Sequence, residues 1–154
     1  MNVSHQQNNQ KGFTLIELLV VIGILAVLMG IVLVAINPSR QFNQANDARR
    51  ANDSRQLLNA IGAYAADNKG ALPAGLTTPL VKTEIGDGTG QINICSVLVP
   101  TYISALPEDP KINNGQAITT CTGYDSGYQV TVDASGRVTI TAPNAAFGTI
   151  SVTR

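Results

Sequence analysis

Glu17 is the residue whose position in the sequence points most directly to a chemical role. It is the only charged residue in the 24-residue run from Phe13 to Ile36. An ionised carboxylate inside a bilayer costs about 2.5–3.5 kcal/mol even on insertion scales, so it favours a cationic partner. If Glu17 instead lies beside the lipid headgroups, water can solvate it, and the residues alone leave both interpretations open.

The apolar run that carries Glu17 has the length of a membrane span. At 1.5 Å per residue, a helix from Phe13 to Ile36 would be about 36 Å long, enough to cross a bilayer with some tilt. A secretory signal fits poorly, because its apolar region has only about 7–15 residues and a small-x-small cleavage site should follow. An uncleaved anchor remains an alternative.

The sequence from Gly12 to Glu17, G-F-T-L-I-E, resembles the class III signal of type IV pilins and type II secretion pseudopilins. The resemblance implies that a prepilin peptidase cuts between Gly12 and Phe13, that Phe13 is then N-methylated, and that residues 1–12 are a discarded leader. It also implies an assembly role, in which Glu17 of one subunit neutralises the Phe13 amine of its neighbour.

The charge composition argues against a general role in nucleic-acid binding. The chain has 154 residues with 10 basic and 10 acidic side chains, so there is room for one domain beyond the span and no polyelectrolyte character. A local basic cluster is interpreted as a solvated or intersubunit helix face, and no direct contact with nucleic acid is expected. This cluster comprises Arg40, Arg49, Arg50 and Arg55.

Cysteine and histidine usage argues against an enzyme. Cys95 and Cys121 are the only cysteines, and we expect them to form a disulfide because the preceding anchor would carry them into an oxidising space. The single histidine, His5, lies in the predicted leader. The chain therefore has few residues that could form a zinc site or act as a thiol catalyst, and no catalytic residue is predicted.

Helical signals continue after the span. Pro38 should bend or interrupt the helix, and residues 37–70 then read as an amphipathic helix that stops near Asn68, with Gly70 suited to a left-handed terminal position. Joined, the two helices would form a rod of about 80 Å. The apolar residues of the second helix are Ala51, Leu57, Leu58, Ile61, Tyr64 and Ala65.

Residues 71–154 should form a small β-rich head. Tyr128–Asp133 and Val138–Thr141 alternate apolar and polar residues around a turn, which predicts a β-hairpin. Ala117–Thr122 and Thr149–Val152 could add short strands. The predicted fold is therefore α+β, with a long N-terminal helix, half transmembrane and half amphipathic, packed on a small antiparallel sheet. The resemblance to pilins implies that this fold is pilin-like.

The resemblance extends into the head and raises one cofactor. Asp47–Arg50 and Tyr102–Pro110 are similar to regions of major pseudopilins, some of which hold calcium near the end of the head. The nearest candidate ligands here are Asp109, Asp125 and Asp133, although their spacing is not a clear match. Gly86–Gly90 lacks the lysine of a phosphate loop and is interpreted as a flexible surface loop. No other cofactor is predicted.

These observations favour a structural subunit of a type IV pilus. The expected partners are further copies of the chain, prepilin peptidase, the inner-membrane platform and an assembly ATPase. The precursor would form a single-pass pool in the inner membrane and then enter an extracellular filament with roles in adhesion, motility or DNA uptake. A secretion pseudopilin is one alternative, and a monomeric membrane-anchored binding module is another.

Overall fold

The computed structural model describes residues 12–154, so the predicted leader up to Lys11, including His5, lies outside the described residues. The chain divides into two compact units, Met1–Gln41 and Phe42–Arg154. The first contains the apolar helix, and the second contains the sheet with its covering helix.

Helix α1 spans Leu15–Ile36, and its length and composition are sufficient to cross a membrane. None of its residues is buried within the chain, so its apolar surface is available to lipid or to other subunits. Asn37 ends the helix in the left-handed conformation, with φ of 43°. The predicted interruption before Pro38 is therefore confirmed and occupies a single residue.

Helix α2 spans Pro38–Asp67 and starts with a proline, whose missing N–H is no loss in the first turn. It ends one residue before the predicted stop at Asn68, and Gly70 follows with φ of 87°. Its buried apolar residues are Leu57, Leu58, Ala60 and Ile61. The buried face also includes three polar residues that the apolar pattern did not predict, namely Arg50, Asp53 and Ser54.

Four antiparallel strands form one sheet in the order β1-β2-β3-β4. The predicted hairpin is confirmed as β2 and β3, and the last predicted strand is present as β4. Ala117–Thr122 was wrongly predicted as a strand, since Ile118 forms only an isolated bridge with Leu106. The strands are β1 (Leu80–Gly86), β2 (Asp125–Val132), β3 (Val138–Ala142) and β4 (Ile150–Thr153).

Strand β1 was not predicted, because its burial does not alternate and its pairing with β2 is irregular. The register shifts between Leu80 and Thr83 and again between Glu84 and Gly86. A short helix α3 (Cys95–Leu98) and a 3₁₀ turn (Asn113–Gly115) lie between β1 and β2. The core joins the apolar face of α2 to inward residues of the sheet and to the segment between β1 and β2, including Ile85, Ile94, Leu98, Leu106, Tyr128, Val130 and Ile140.

Candidate functional site

A buried ion pair joins α2 to the segment that precedes β2. Arg50 donates from Nε to Oδ2 of Asp109 at 2.7 Å and from Nη2 to Oδ1 at 2.8 Å. Both residues have zero exposure to solvent. Arg50 also donates from Nη1 to Asp47 at 2.9 Å. Arg50 was therefore wrongly placed on a solvated or intersubunit face, because the head itself supplies its partners.

The neighbouring residue Arg49 lies at the edge of the same cluster. Its guanidinium donates to the carbonyl of Gly115 and lies 3.7 Å from a carboxylate oxygen of Asp53. Its side chain is still 45% exposed. Arg55 donates to Asn52 at 2.9 Å on the exposed side of α2. Arg49, Arg50 and Arg55 thus have different surroundings, since Arg50 is buried while Arg49 and Arg55 are exposed to solvent.

Two further carboxylates connect α2 to the strands and to the loop before β4. Asp47 accepts hydrogen bonds from the backbone N–H groups of Ala146 and Phe147, with distances between 2.9 and 3.1 Å. Asp53 accepts a hydrogen bond from the hydroxyl of Tyr128 at 2.8 Å. The polar end of α2 therefore fixes the helix to residues about 75–100 positions later in the chain.

These contacts shift the pKa values of the carboxyl groups in opposite directions. Burial acts to raise the pKa of Asp109, but hydrogen bonds from Arg50 and the Lys111 amide outweigh it and leave the pKa lowered. Burial also acts to raise the pKa of Asp47, but hydrogen bonds from the amides of Ala146 and Phe147 and from Arg50 outweigh it and leave the pKa lowered. In contrast, burial raises the pKa of Asp53 despite the hydrogen bond from Tyr128.

The two cysteines are joined by a disulfide, with their Cα atoms 5.3 Å apart. Cys95 starts α3 and is fully buried, while its partner Cys121 lies 26 residues later. Asn93 supports both ends of this link, because its side chain accepts from the Cys95 amide and donates to the Cys121 carbonyl, each at 3.1 Å. The bond therefore fastens the segment before β2 to the start of α3.

The N-terminal candidate site lies at the first turn of α1. Gly12 and Phe13 precede the helix, and both are exposed, so the predicted cleavage junction is accessible to a peptidase. Phe13 has 87% of its surface exposed. Glu17 is likewise exposed and lies in the first helical turn, where the positive end of the helix dipole favours a negative charge.

Thr14 and Glu17 form a reciprocal capping box. The carboxylate oxygen Oε2 of Glu17 accepts from the Thr14 amide at 2.8 Å and from the Thr14 hydroxyl at 2.7 Å. In return, Thr14 Oγ1 accepts from the Glu17 amide at 3.3 Å. This role of Thr14 was not predicted from the sequence, although the spacing T-x-x-E is a known sign of a helix start. Glu17 is thus a cap as well as an isolated charge.

The comparison with protein families decides the class of this site. Residues 7–33 match the family model described as the prokaryotic N-terminal methylation motif. The chain carries the class III signal of type IV pilins and pseudopilins. No curated protein and no solved structure matched the chain.

The class III signal indicates what kind of protein carries the exposed Gly12–Phe13 junction and Glu17. It points to a structural subunit rather than an enzyme, and it implies processing by a prepilin peptidase and assembly into a pilus-type filament. The exposed apolar surface of α1 fits anchoring in a membrane before assembly. The α+β architecture of helix and four-stranded sheet is pilin-like.

The three acidic residues suggested as calcium ligands of this pilin-like head are engaged by protein groups. Both oxygens of Asp109 bind Arg50, while Asp125 accepts from the Gly127 amide at 2.9 Å. Asp133 accepts from Ser135 and Arg137 within the β2–β3 turn. Among residues 12–154, no group of three or more His, Cys, Asp or Glu residues is suited to hold a metal. Calcium at these three residues stays an untested expectation.

Proposed function

We propose that the chain is a major subunit of a type IV pilus, cleaved between Gly12 and Phe13 and polymerised through α1. One observation carries the proposal. Glu17 is the only charged residue of α1, and it lies directly after the cleavage motif on a helix with no buried residues. A helix with this surface needs either lipid or other copies of itself around it.

Cleavage would supply the missing cation for Glu17. Hydrolysis of the Gly12–Phe13 bond creates an α-amine on Phe13, which is protonated near neutral pH because its ordinary pKa is about 7.7–8.0. N-methylation preserves the positive charge. Glu17 of an incoming subunit would pair with this amine in the apolar filament core, where an unpaired carboxylate is costly.

The capping box would prepare Glu17 for this encounter. Thr14 holds Oε2, whereas Oε1 makes no hydrogen bond to any group among residues 12–154. The carboxylate is therefore fixed at the helix start and still offers an acceptor to an incoming amine. The proposed precursor waits in the inner membrane until a platform protein and an assembly ATPase extract it.

The head would form the outer surface of the filament. Its disulfide suits a domain exposed outside the cell and favours a pilus over a secretion pseudopilus. Adhesion, motility and DNA uptake are then roles of the whole filament. Direct DNA binding is not part of the proposal, because Arg50 is buried and Arg49 contacts Gly115 and Asp53.

Replacement of Glu17 tests the proposal. Glu17→Val and Glu17→Gln should both be processed by the peptidase but fail to pair with the Phe13 amine. Because the Phe13 amine of the neighbouring subunit would then stay unpaired in hydrocarbon, where an uncompensated charge costs roughly 2.5–3.5 kcal/mol on insertion scales, we expect at least a tenfold fall in sheared filaments, with the mature protein retained in membranes. The matched control is Asp67→Asn, which neutralises an exposed carboxylate at the end of α2. Normal filament yield from both Glu17 variants would refute the assembly role.

A further inference from the structure

A small pocket, here called the Arg154 pocket, lies between the C-terminal half of α2 and the sheet. Its volume is about 260 Å³, and its wall comes from α2, the loop after α2, the β2–β3 turn, the start of β3 and the residue after β4. Apolar side chains and glycines make up the whole wall except for one charged residue, Arg154. The apolar side chains are Leu58, Ile61, Ala65, Leu72 and Val138.

Arg154 follows the inward-facing residues of β4. Ile150 and Val152 are partly buried and pack against the core, and side chains alternate along a strand, so residue 154 falls on the same side of the sheet. The main chain of Arg154 continues the ladder through reciprocal hydrogen bonds with Val138, each of 3.0 Å. The strand therefore directs a guanidinium towards α2.

Gly62 of α2 leaves the space beside this guanidinium open. A Cβ atom at residue 62 would lie 3.0 Å from Nη1 of Arg154 and 3.4 Å from its Cζ. Glycine is a poorer helix former than alanine, so a glycine within α2 calls for a packing reason. Within the part of the chain that the structure describes, the guanidinium forms no ion pair with an Asp or Glu side chain. The pocket therefore has a cation at its edge that no carboxylate of the head neutralises.

We propose that the Arg154 pocket binds a small monocarboxylate with a short apolar tail. The carboxylate would accept hydrogen bonds from the Arg154 guanidinium, and the tail would lie against the apolar wall. Ligand sites commonly combine a largely apolar wall with a few polar groups that orient the ligand. The volume lies below the range of about 300–1,000 Å³ that is usual for drug-sized ligands, so a short tail is expected.

The chemistry of the wall decides between anionic ligands. One guanidinium balances one negative charge and matches the planar carboxylate through two parallel N–H···O hydrogen bonds. A phosphate monoester carries about 1.5–2 negative charges at pH 7, which a single arginine does not balance. The C-terminus of a peptide brings amide groups with it, and Arg154 is the only wall residue whose side chain can form hydrogen bonds. A simple aliphatic acid is therefore the better match.

Titration calorimetry with hexanoate tests the proposal on the full chain in lipid nanodiscs. Heats measured with empty nanodiscs are subtracted, so that partitioning into lipid is removed. We expect saturable binding of hexanoate and at least tenfold weaker binding of hexanamide, which has the same tail and no charge. N-acetylleucine, a mimic of a peptide C-terminus, should also bind more weakly than hexanoate.

Variants locate the binding to this pocket. Arg154→Met keeps the apolar stem without the charge and should weaken hexanoate binding at least tenfold. Ala65→Leu fills the pocket from its half-buried α2 wall and should abolish binding. The matched control is Arg137→Gln, which removes an exposed arginine of the β2–β3 turn that does not line the pocket, and it should bind like the wild type. Near-ultraviolet circular dichroism checks that each variant is folded.

Three results would overturn the proposal. The first is wild-type protein without saturable hexanoate binding up to millimolar concentrations. The second is folded Arg154→Met protein with unchanged affinity for hexanoate. The third is hexanamide or N-acetylleucine that binds as tightly as hexanoate, since the ligand would then be a neutral molecule or a peptide C-terminus. The pocket belongs to the head alone, so none of these results would bear on filament assembly through α1.

Discussion

Arg50 and Asp109 form a bidentate ion pair that is closed to solvent, with hydrogen bonds of 2.7 and 2.8 Å between residues 59 positions apart. Removing two charges from water is costly, and the pair is tolerable only because both partners are present in good geometry. Asp47 supplies a second acceptor for Arg50. The pair therefore fixes where the segment before β2 meets α2, and breaking either side leaves a charge buried alone.

Removal of Arg50 should destabilise the head far more than removal of its neighbour. Arg50→Met leaves Asp109 buried without a cation, and we expect a loss of about 3–5 kcal/mol in the free energy of unfolding. Arg49→Met is the matched control, because the Arg49 side chain is 45% exposed and should cost much less. Urea unfolding of the full chain in micelles, followed by the tyrosine circular dichroism signal, measures both. Equal losses would contradict the special role of Arg50.

Asp53 should make the head less stable as pH rises. Burial raises its pKa above the ordinary value of 3.8, so the folded chain binds this proton more tightly than the unfolded chain. The resulting stability is present below about pH 3.8 and is lost as pH rises through the folded pKa. Asp53→Asn cannot ionise and keeps an acceptor for Tyr128, so it should gain stability relative to the wild type between pH 3.5 and 7. A constant difference across that range would contradict this assignment.

Asp133 should show the opposite pH dependence. The Ser135 hydroxyl and the backbone N–H and guanidinium of Arg137 lower its pKa to about 2. Its contribution is present above the ordinary value of 3.8 and is lost as pH falls through about 2. Asp133→Asn should therefore be slightly less stable than the wild type at pH 7 and equal to it near pH 2. Urea midpoints of both proteins at the two pH values provide the measurement. A stability difference between them that grows towards low pH would contradict the lowered pKa of Asp133.

Loss of the disulfide should lower stability without changing the fold of the sheet. The link joins Cys95 and Cys121, which are 26 positions apart, and the chain-entropy model gives roughly 3–4 kcal/mol for a loop of this length. The double variant Cys95→Ser, Cys121→Ser should unfold at lower urea concentration while keeping its far-ultraviolet spectrum. The comparison is with the oxidised wild type at the same pH. An unchanged urea midpoint would show that the link adds no stability.

Short sequence patterns predicted the elements that depend on interactions between residues close together in the chain. The apolar run predicted α1, the proline predicted the interruption after Ile36, and alternation predicted the β2–β3 hairpin. Strand β1 was not predicted because its buried and exposed residues do not alternate, in keeping with its irregular pairing with β2. Residues Ala117–Thr122 were predicted as a strand because β-branched residues favour strands. In the structure, only Ile118 of this segment forms a β-bridge.

Long-range pairing explains what the sequence could not predict about the candidate sites. Nothing near Arg50 in sequence indicates that Asp109 will meet it, since the pair depends on how the head closes on α2. In contrast, the cleavage motif and Glu17 are contiguous, and a short window of sequence was enough to recognise them.

Mass spectrometry of sheared surface filaments and of membranes, taken from cells that naturally express the chain, tests the central claim most directly. The account predicts a mature N-terminal peptide that begins with methylated Phe13, abundant in the sheared fraction and present in the membrane pool. Mature peptide confined to membranes would favour a pseudopilin or a minor subunit. Protein that keeps residues 1–12 in every fraction would contradict filament assembly and favour a membrane-anchored binding module.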